Sequence, residues 1–229
     1  MIPCGITSTA MHMDDFYTPT QRALQDRFGA RPLADGLAES IVAPTLAPLQ
    51  IDFIEGRDSF YLATVDDAGF PSVSYKGGAP GFVRVLDPGT LVFPSYDGNG
   101  MFMSMGNIDG SAKLGLLFID FETPQRLRVR GAARLLHEGP VLDSYPGAQL
   151  AVGVSIESVW VNCPRYVHRM AREEASRYVP DQQGLAPLPA WKRIDSIQSM
   201  LSDADRQTAR KAGYITAADY AALVDAGRG

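Results

Sequence analysis

Three short passages of the chain carry the residue types that a cofactor site needs. The first, Ser95–Asn107, is broken by glycines and follows directly on an apolar run that predicts a strand. A strand, a tight turn and then a short helix are expected here, and the free backbone N–H groups at such a helix start can hold a phosphate. The competing interpretation is a structural turn, whose glycines only satisfy backbone angles and whose methionines fill the core.

The other two passages each follow a predicted strand. Ser72–Gly78 places a lysine and two serine hydroxyls before a flexible pair of glycines, so that Lys76 either meets a phosphate or points into water. Trp160–Tyr166 brings an aromatic ring, an amide and a guanidinium together at the end of the last predicted strand. The alternative for this third passage is a strand-end turn with a packed tryptophan.

Several classes of function are disfavoured by the composition. The net charge is −5 and no Lys/Arg cluster is dense enough for a nucleic-acid surface. No segment reaches the roughly 18 apolar residues of a membrane helix. The two cysteines, Cys4 and Cys163, form no disulfide framework. A soluble protein in the cytoplasm, binding neither nucleic acid nor membrane, is therefore the default expectation.

The sequence contains no motif for hydrolytic or metal chemistry. The histidines His12, His137 and His168 lack the carboxylate or cysteine spacing of a metal site, and neither a nucleophile elbow nor a Walker lysine occurs. We therefore expect no bound metal and name no catalytic residue.

Helices are predicted on both sides of a strand-rich centre. Thr18–Gln21 forms a capping box that starts a helix running to about Phe28, where Gly29 ends it. Helical spacing of apolar residues predicts a second helix over Leu46–Glu55, packing as a lid on the sheet. Two further helix starts are expected at Ser202 and Thr216.

The centre is predicted to be mainly β. Extended runs separated by turn residues favour a barrel or a sandwich, and they cover Phe60–Val65, Pro71–Lys76, Phe82–Leu86, Thr90–Ser95, Lys113–Asp120, Arg126–Leu136 and Ala151–Val161. In the sixth run Arg126, Arg128 and Arg130 alternate with apolar residues, which gives one charged and one buried face. That charged face is either solvated or directed at a ligand or interface.

These signals divide the chain into five segments. They are a flexible N-terminus (1–17), helices packing on the barrel (18–58), the barrel (59–170), a linker rich in proline and glycine (171–190) and a helical appendage (191–229).

Taken in order, the three passages resemble the pyridoxamine 5'-phosphate oxidase-like, FMN-binding family, over about Ile51–Arg169. The resemblance implies a six-stranded antiparallel split β-barrel, flanked by N- and C-terminal helices, that works as a homodimer with FMN at the interface. It also implies contacts to the cofactor from Ser74, Tyr75, Lys76, Gly77, Ser95, Asn99, Gly100, Met101, Arg126 and Trp160. His168 and Arg165 would lie near the substrate.

Some residues differ from the family pattern, and these differences limit which function the resemblance implies. Ser74 stands where the true oxidases have an arginine, and Gly100 and Met101 stand where they have an Arg-Lys pair. Tyr166 replaces the arginine that holds pyridoxine phosphate, and a phenol does not replace a bidentate guanidinium. The resemblance thus implies a flavin-dependent oxidoreductase acting on a small molecule other than pyridoxamine phosphate. A non-catalytic flavin or haem binder, a deazaflavin-dependent reductase, and recruitment of another protein by the C-terminal helices remain alternatives.

Overall fold

The computed structural model describes residues 16–229. They divide into two compact units, of which the first ends at Glu173 and the second spans Glu174–Gly229. The division falls inside the segment 171–190 that the sequence marks as a linker. Cys4, His12 and nearly all of the predicted flexible segment 1–17 lie outside the described residues.

The first unit is built around one antiparallel sheet. Its strands are β1 (Ser59–Val65), β2 (Pro71–Gly77), β3 (Arg84–Asp87), β4 (Thr90–Tyr96), β5 (Lys113–Asp120), β6 (Gln125–Leu136) and β7 (Ala148–Asn162). Their order in the sheet is β2-β1-β5-β6-β7-β4-β3. The mainly β, antiparallel class is as predicted.

The predicted number of six strands is wrong, because the described sheet has seven and is open, with β2 and β3 at its edges. The additional strand is β3, four residues long and paired with β4 through a tight turn. Asp87 closes that turn by accepting a hydrogen bond from the Gly89 N–H through Oδ1, at 2.8 Å. The extended runs in the sequence also number seven, and Phe82–Leu86 overlaps β3, so the count of six came from the resemblance alone.

The sheet curls around an aromatic core. The ring of Phe60 on β1 lies 5.0 Å from that of Phe93 on β4 and 5.3 Å from that of Phe118 on β5, between centroids. All three side chains are fully buried, and each contributes about 1.5–3 kcal/mol through burial. Strands far apart in the sheet order therefore face each other across one core.

Between residue 16 and the end of the first unit, five helices accompany the sheet: α1 (Pro19–Arg27), α2 (Arg31–Ile41), α3 (Pro48–Glu55), α4 (Met103–Ser111) and α5 (Pro140–Asp143). The predicted capping box of α1 is present, with Gln21 N–H donating to Thr18 Oγ1 and Thr18 N–H donating to Gln21 Oε1. Helix α3 begins two residues later than predicted and buries Ile54 in the core. Helix α2 was not predicted.

A short bridge joins the α2 region to the sheet. Ala43 exchanges two backbone hydrogen bonds with Val159, at 3.0 and 2.8 Å. It covers the part of β7 that extends beyond the pairing with β4, which ends at Ser155. The chain leaving α2 is thereby fixed to the sheet.

The second unit is helical, as predicted. Two 3₁₀ turns precede α6 (Asp203–Ala212) and α7 (Ala217–Asp225). Ser202 and Thr216 cap these helices by accepting backbone N–H groups in the first turn. The buried Lys192 ammonium lies 3.1 Å from the Asp205 carboxylate. Among residues 16–229, none of the helices is both long enough and apolar enough to span a bilayer.

Candidate functional site

Strand β2 presents different chemistry on its two faces. Ser72, Ser74 and Lys76 pair with Thr64, Leu62 and Phe60 of β1, which are buried. Because cross-strand partners share a face, the two serines and the lysine lie on the core side of the sheet. The alternate residues Val73 and Tyr75 lie on the outer side and are exposed.

Helix α4 runs along the core side of β1 and β2. The Asn107 amide donates to the Thr64 hydroxyl at 3.0 Å, and one turn earlier the Ser104 and Ser74 hydroxyls lie 3.1 Å apart. Thr64 pairs with Ser72 on β2, and Ser74 lies two residues further along that strand. The N-terminus of α4 therefore points towards the Lys76 end of β2. The structure thus brings two of the three predicted passages together.

The start of α4 is open to an anion. It follows a turn in which Asn99 Oδ1 accepts the Met101 N–H at 3.0 Å and Gly100 has a φ of 76°. The N-cap residue Phe102 also has a left-handed φ of 48°. Its side chain cannot accept a hydrogen bond from the first N–H groups of the helix, and the first turn contains no acidic residue. The N–H groups and the positive end of the helix dipole are the two features that bind phosphate at such a position.

The methionines of this passage do not all fill the core, as one interpretation of the sequence predicted. Met105 is buried in the core, but Met101 and Met103 are 65% and 55% exposed. Filling of the core therefore accounts for one of the three. We call the group formed by Ser74, Lys76, Ser104 and the turn Asn99–Phe102 the β2–α4 junction.

Lys76 supplies the positive charge of the β2–α4 junction. Its side chain is partly buried, and burial lowers the pKa of the ammonium from its ordinary value. Within the described chain, 16–229, it has neither an ion pair nor a hydrogen bond through its side chain. A desolvated cation without a counter-ion is destabilised, and a bound anion would supply the missing partner.

The glycines after Lys76 allow the strand end to pack. A Cβ atom on Gly78 would lie 2.4 Å from the ring of Phe82, which is buried in the core. Only glycine fits there, because no real Cβ approaches a ring atom so closely. A Cβ on Gly77 would lie 3.0 Å from the Tyr75 ring.

A large cavity lies on the opposite, outer face of the sheet. Its volume is about 760 Å³, and its wall includes Trp160 together with Arg128 and Arg130 of the predicted charged face. The alternation predicted for β6 is confirmed, and two of its three arginines line a cavity.

The third arginine and the residues after β7 do not line this cavity. Arg126 donates through Nη2 to the Cys163 carbonyl at 2.5 Å and so holds the turn that ends β7. Arg165 and His168 follow this turn and are exposed. No hydrogen bond or ring contact among residues 16–229 connects Arg126 or Trp160 to the β2–α4 junction.

The remaining predicted residues are dispersed. Ser95 is buried on β4, and Tyr75 stacks edge-on against Tyr61 on the outer face, with centroids 5.9 Å apart. His137 is exposed. Within the described part of the chain, no three His, Cys, Asp or Glu residues are grouped as metal ligands.

Sequence reasoning missed Ser104 and the aromatic neighbours of Arg130. Ser104 could have been found as a hydroxyl in the first turn of the predicted short helix. Phe16, whose ring lies 4.6 Å from the Arg130 guanidinium, carries no local signal, because the contact joins residues far apart in the chain.

Comparisons with known proteins give one family model and several solved structures that are similar to part of this chain. The family model described as pyridoxamine 5'-phosphate oxidase matches residues 48–160. A comparison with curated proteins gives no match. Among solved structures, a putative pyridoxamine 5'-phosphate oxidase from Lactobacillus delbrueckii is 26% identical over 52% of this chain and 95% of its own, with a TM-score of 0.43.

Two more distant structures are also similar. HupZ from Group A Streptococcus is 18% identical over 55% of this chain and 99% of its own, with a TM-score of 0.43. An FMN-binding protein from Syntrophomonas wolfei is 13% identical over 63% of this chain and 97% of its own, with a TM-score of 0.37. Residues 48–160, which hold β1 to β6 and most of β7, thus match the pyridoxamine 5'-phosphate oxidase family, as the sequence resemblance predicts.

Proposed function

We propose that this protein binds FMN, with the phosphate at the β2–α4 junction, and works as a cytoplasmic homodimeric flavin-dependent oxidoreductase acting on a small molecule. The observation that carries the proposal is Lys76, a partly buried cation without a partner in residues 16–229, on the face of β2 along which the uncapped helix α4 lies. The family match supplies the cofactor class.

The donors of the junction suit a phosphate. Its oxygens accept hydrogen bonds only, and the junction offers the first N–H groups of α4, the hydroxyls of Ser74 and Ser104, and the Lys76 ammonium. The two hydroxyls now contact each other at 3.1 Å, and each retains capacity for a further hydrogen bond. Ser74 and Ser104 meet where α4 lies on β2, and Lys76 is the next residue on the same face of the strand.

The junction is weaker than the clamp of the true oxidases. Ser74, Gly100 and Met101 stand where those enzymes carry basic side chains, so Lys76 alone supplies a full charge. A hydrogen bond to a charged group contributes about 1.5–3 kcal/mol, and about 1.4 kcal/mol corresponds to tenfold in affinity. We therefore expect FMN to bind more weakly than in the oxidases and to be lost in part during purification.

Bound FMN would supply electron or hydride transfer, and the chain would contribute binding and orientation. By resemblance, Tyr75, Gly77, Arg126 and Trp160 would approach the ring system, with Ser95 near the phosphate and Arg165 and His168 near the substrate. Tyr166, in place of the phosphate-binding arginine, argues against pyridoxamine phosphate as the substrate.

A non-catalytic flavin-binding protein is the second candidate. It is favoured by the exposure of His137 and His168, which leaves no histidine at the β2–α4 junction among residues 16–229. Reduction of the bound flavin by a nicotinamide donor and its reoxidation by an acceptor would establish an oxidoreductase. A flavin that binds but never cycles would establish the binding protein.

The first experiment is the visible absorption spectrum of protein purified without added cofactor, with mass spectrometry of whatever is extracted. Released FMN supports the proposal, whereas a deazaflavin or haem as the only pigment contradicts it. Light scattering on the same sample measures the oligomeric state, and a monomer that retains FMN would contradict a site at a dimer interface.

Titration of the cofactor-free protein with FMN tests Lys76 directly. Lys76→Gln should weaken binding by about tenfold or more, since it removes the only full charge of the junction. The matched control is Lys113→Gln, because Lys113 is an exposed strand lysine away from the junction. Equal affinities of both variants and the wild type would exclude Lys76 as the phosphate ligand.

A further inference from the structure

The cavity on the outer face of the sheet is a separate chamber between the strands and the first two helices. Its floor is formed by strand residues and its roof by α1 and α2. The floor includes Tyr61, Val73, Arg130 and Trp160, and the roof includes Leu37 and Ile41. Its volume of about 760 Å³ lies within the range of about 300–1,000 Å³ that holds small ligands.

One side of the cavity is an aromatic wall around a cation. The ring of Phe16 stands edge-on to Trp160, with centroids 5.5 Å apart, and Tyr17 stands edge-on to Phe16 at 4.9 Å. The Arg130 guanidinium carbon lies 4.6 Å from the Phe16 ring centre and 5.2 Å from the Trp160 ring centre. Rings on both sides hold this guanidinium in place.

The Arg130 guanidinium does not use all of its hydrogen-bond donors. Its Nε donates to the Ser158 hydroxyl at 3.1 Å, but its Nη2 is buried and has no hydrogen-bond partner. Burial also lowers the pKa of the guanidinium, an effect that Glu157 partly offsets. Because an arginine in a protein stays protonated, the result is a buried positive charge with a free donor.

A free acceptor lines the same cavity. Asn162 Oδ1 is buried and has no partner among residues 16–229, and Asn162 belongs to the cavity wall. Nearly all buried polar atoms in proteins are paired, so an unpaired donor and an unpaired acceptor on two residues of one cavity wall are unusual.

We propose that this cavity is a second small-molecule site, for a planar aromatic carboxylate. The ring system would lie among Phe16, Trp160 and Tyr61, and its carboxylate would pair with the Arg130 guanidinium. A guanidinium and a carboxylate match in geometry, and a single negative charge balances the one buried cation. The Asn162 amide adds a hydrogen bond to a ring substituent.

This site lies on the opposite side of the sheet from the β2–α4 junction and does not rest on the proposed function. Of the residues that the resemblance assigns to the flavin ring, the cavity wall contains Trp160 alone. Val73 lines the cavity, whereas its neighbour Ser74 faces α4 on the other side of the sheet. The two sites can therefore be tested one at a time.

The test uses 2-naphthoate and its neutral counterpart 2-naphthamide, titrated into the full-length protein. Trp160 is one of two tryptophans, so a Trp191→Phe background assigns the fluorescence change to the cavity. We expect saturable quenching by naphthoate with one site per chain, and at least tenfold weaker binding of naphthamide. Failure of naphthoate to bind, or equal binding of both compounds, overturns the proposal.

Two variants locate the bound compound. Arg130→Gln should weaken naphthoate binding about tenfold, while Arg134→Gln, an exposed arginine on the same strand that is outside the cavity wall, should leave it unchanged. Leu37→Trp fills the cavity from the half-exposed side of α2 and should abolish binding even if Arg130→Gln does not fold. Binding unaffected by Leu37→Trp would overturn the proposal.

Competition with FMN separates the two sites. Naphthoate should bind equally well with and without saturating FMN. If FMN displaces it, the cavity belongs to the flavin and the proposal of a second site is wrong. Protein that binds naphthoate but no FMN would instead overturn the proposed function and leave this site standing.

Discussion

The two faces of β2 lead to surroundings of opposite character. On the core side, hydroxyls and one lysine meet the start of α4. On the outer side, Val73 opens onto a cavity of about 760 Å³ with aromatic walls and one embedded guanidinium. The first arrangement has many donors and suits a compact anion such as phosphate, and the second has volume and ring surface and suits a flat molecule.

The difference lies in how each positive charge is held. Lys76 is a flexible ammonium with no partner in the described chain, so it can follow an anion that arrives. Arg130 is held between two rings and by Ser158, so its guanidinium has a fixed orientation. A movable point charge recognises phosphate by charge, whereas a fixed planar fork selects a ligand by geometry.

The largest expected effect is the loss of stability when Gly131, next to Arg130, is replaced. A Cβ atom there would lie 2.2 Å from the Ser155 carbonyl oxygen, where the register of β6 against β7 shifts. Gly131→Ala must displace backbone and should lower the free energy of unfolding by about 3 kcal/mol. Urea unfolding measures the change.

Gly115→Ala is the matched control for this variant. Gly115 also lies on a strand at the cavity, but its added methyl would meet only the Ala63 side chain at 3.9 Å. We expect a change within about 0.5 kcal/mol, as for most unstrained substitutions. Similar losses in both variants would show that the close approach at Gly131 is not what requires glycine.

The fold was predictable where local chemistry decides it. The capping box formed by Thr18 and Gln21 predicts α1. The alternation of residues from Arg126 to Arg130 predicts β6 and its two faces. Helix α2 was missed because its N-cap, Ala30, makes no side-chain cap, although a proline lies in its first turn and Leu33, Leu37 and Ile41 recur at helical spacing. Its position is fixed by tertiary contacts that no local pattern records.

The candidate sites follow the same rule. Ser74 and Lys76 were identified because they end a strand before glycines, but Ser104 became visible only when α4 was seen lying on β2. The cavity joins Phe16 to Trp160, residues more than a hundred positions apart in the chain. Such pairing depends on the closed fold, which short-range spacing does not determine.

The affinity for FMN should depend on pH through Lys76. Burial lowers the pKa of this lysine, so it loses its proton at a lower pH than an ordinary lysine. As the pH rises from 7 through that lowered pKa, FMN binding should weaken by about tenfold in the wild type. Lys76→Gln should show a flat profile over the same range, measured by FMN titration at each pH.

The stability of the cofactor-free protein should change in the opposite direction. Charged Lys76 is penalised by burial in the folded state, so below its lowered pKa it destabilises the protein. That penalty is relieved as the pH rises between the folded and the higher unfolded pKa, and this contribution to stability therefore increases with pH. If Lys76→Gln leaves the slope of stability against pH unchanged, Lys76 is not the desolvated cation that the structure indicates.

The smallest expected effect is the coupling between the two sites. Since Lys76 and Arg130 share no partner among residues 16–229, Lys76→Gln should leave naphthoate affinity unchanged and Arg130→Gln should leave FMN affinity unchanged. For each compound, the double variant should match the sum of the single effects to within about 0.5 kcal/mol. A coupling free energy above about 1 kcal/mol would mean that the sheet transmits occupancy from one face of β2 to the other. In that case an aromatic carboxylate in the outer cavity would regulate flavin binding, because coupling between two binding sites is reciprocal.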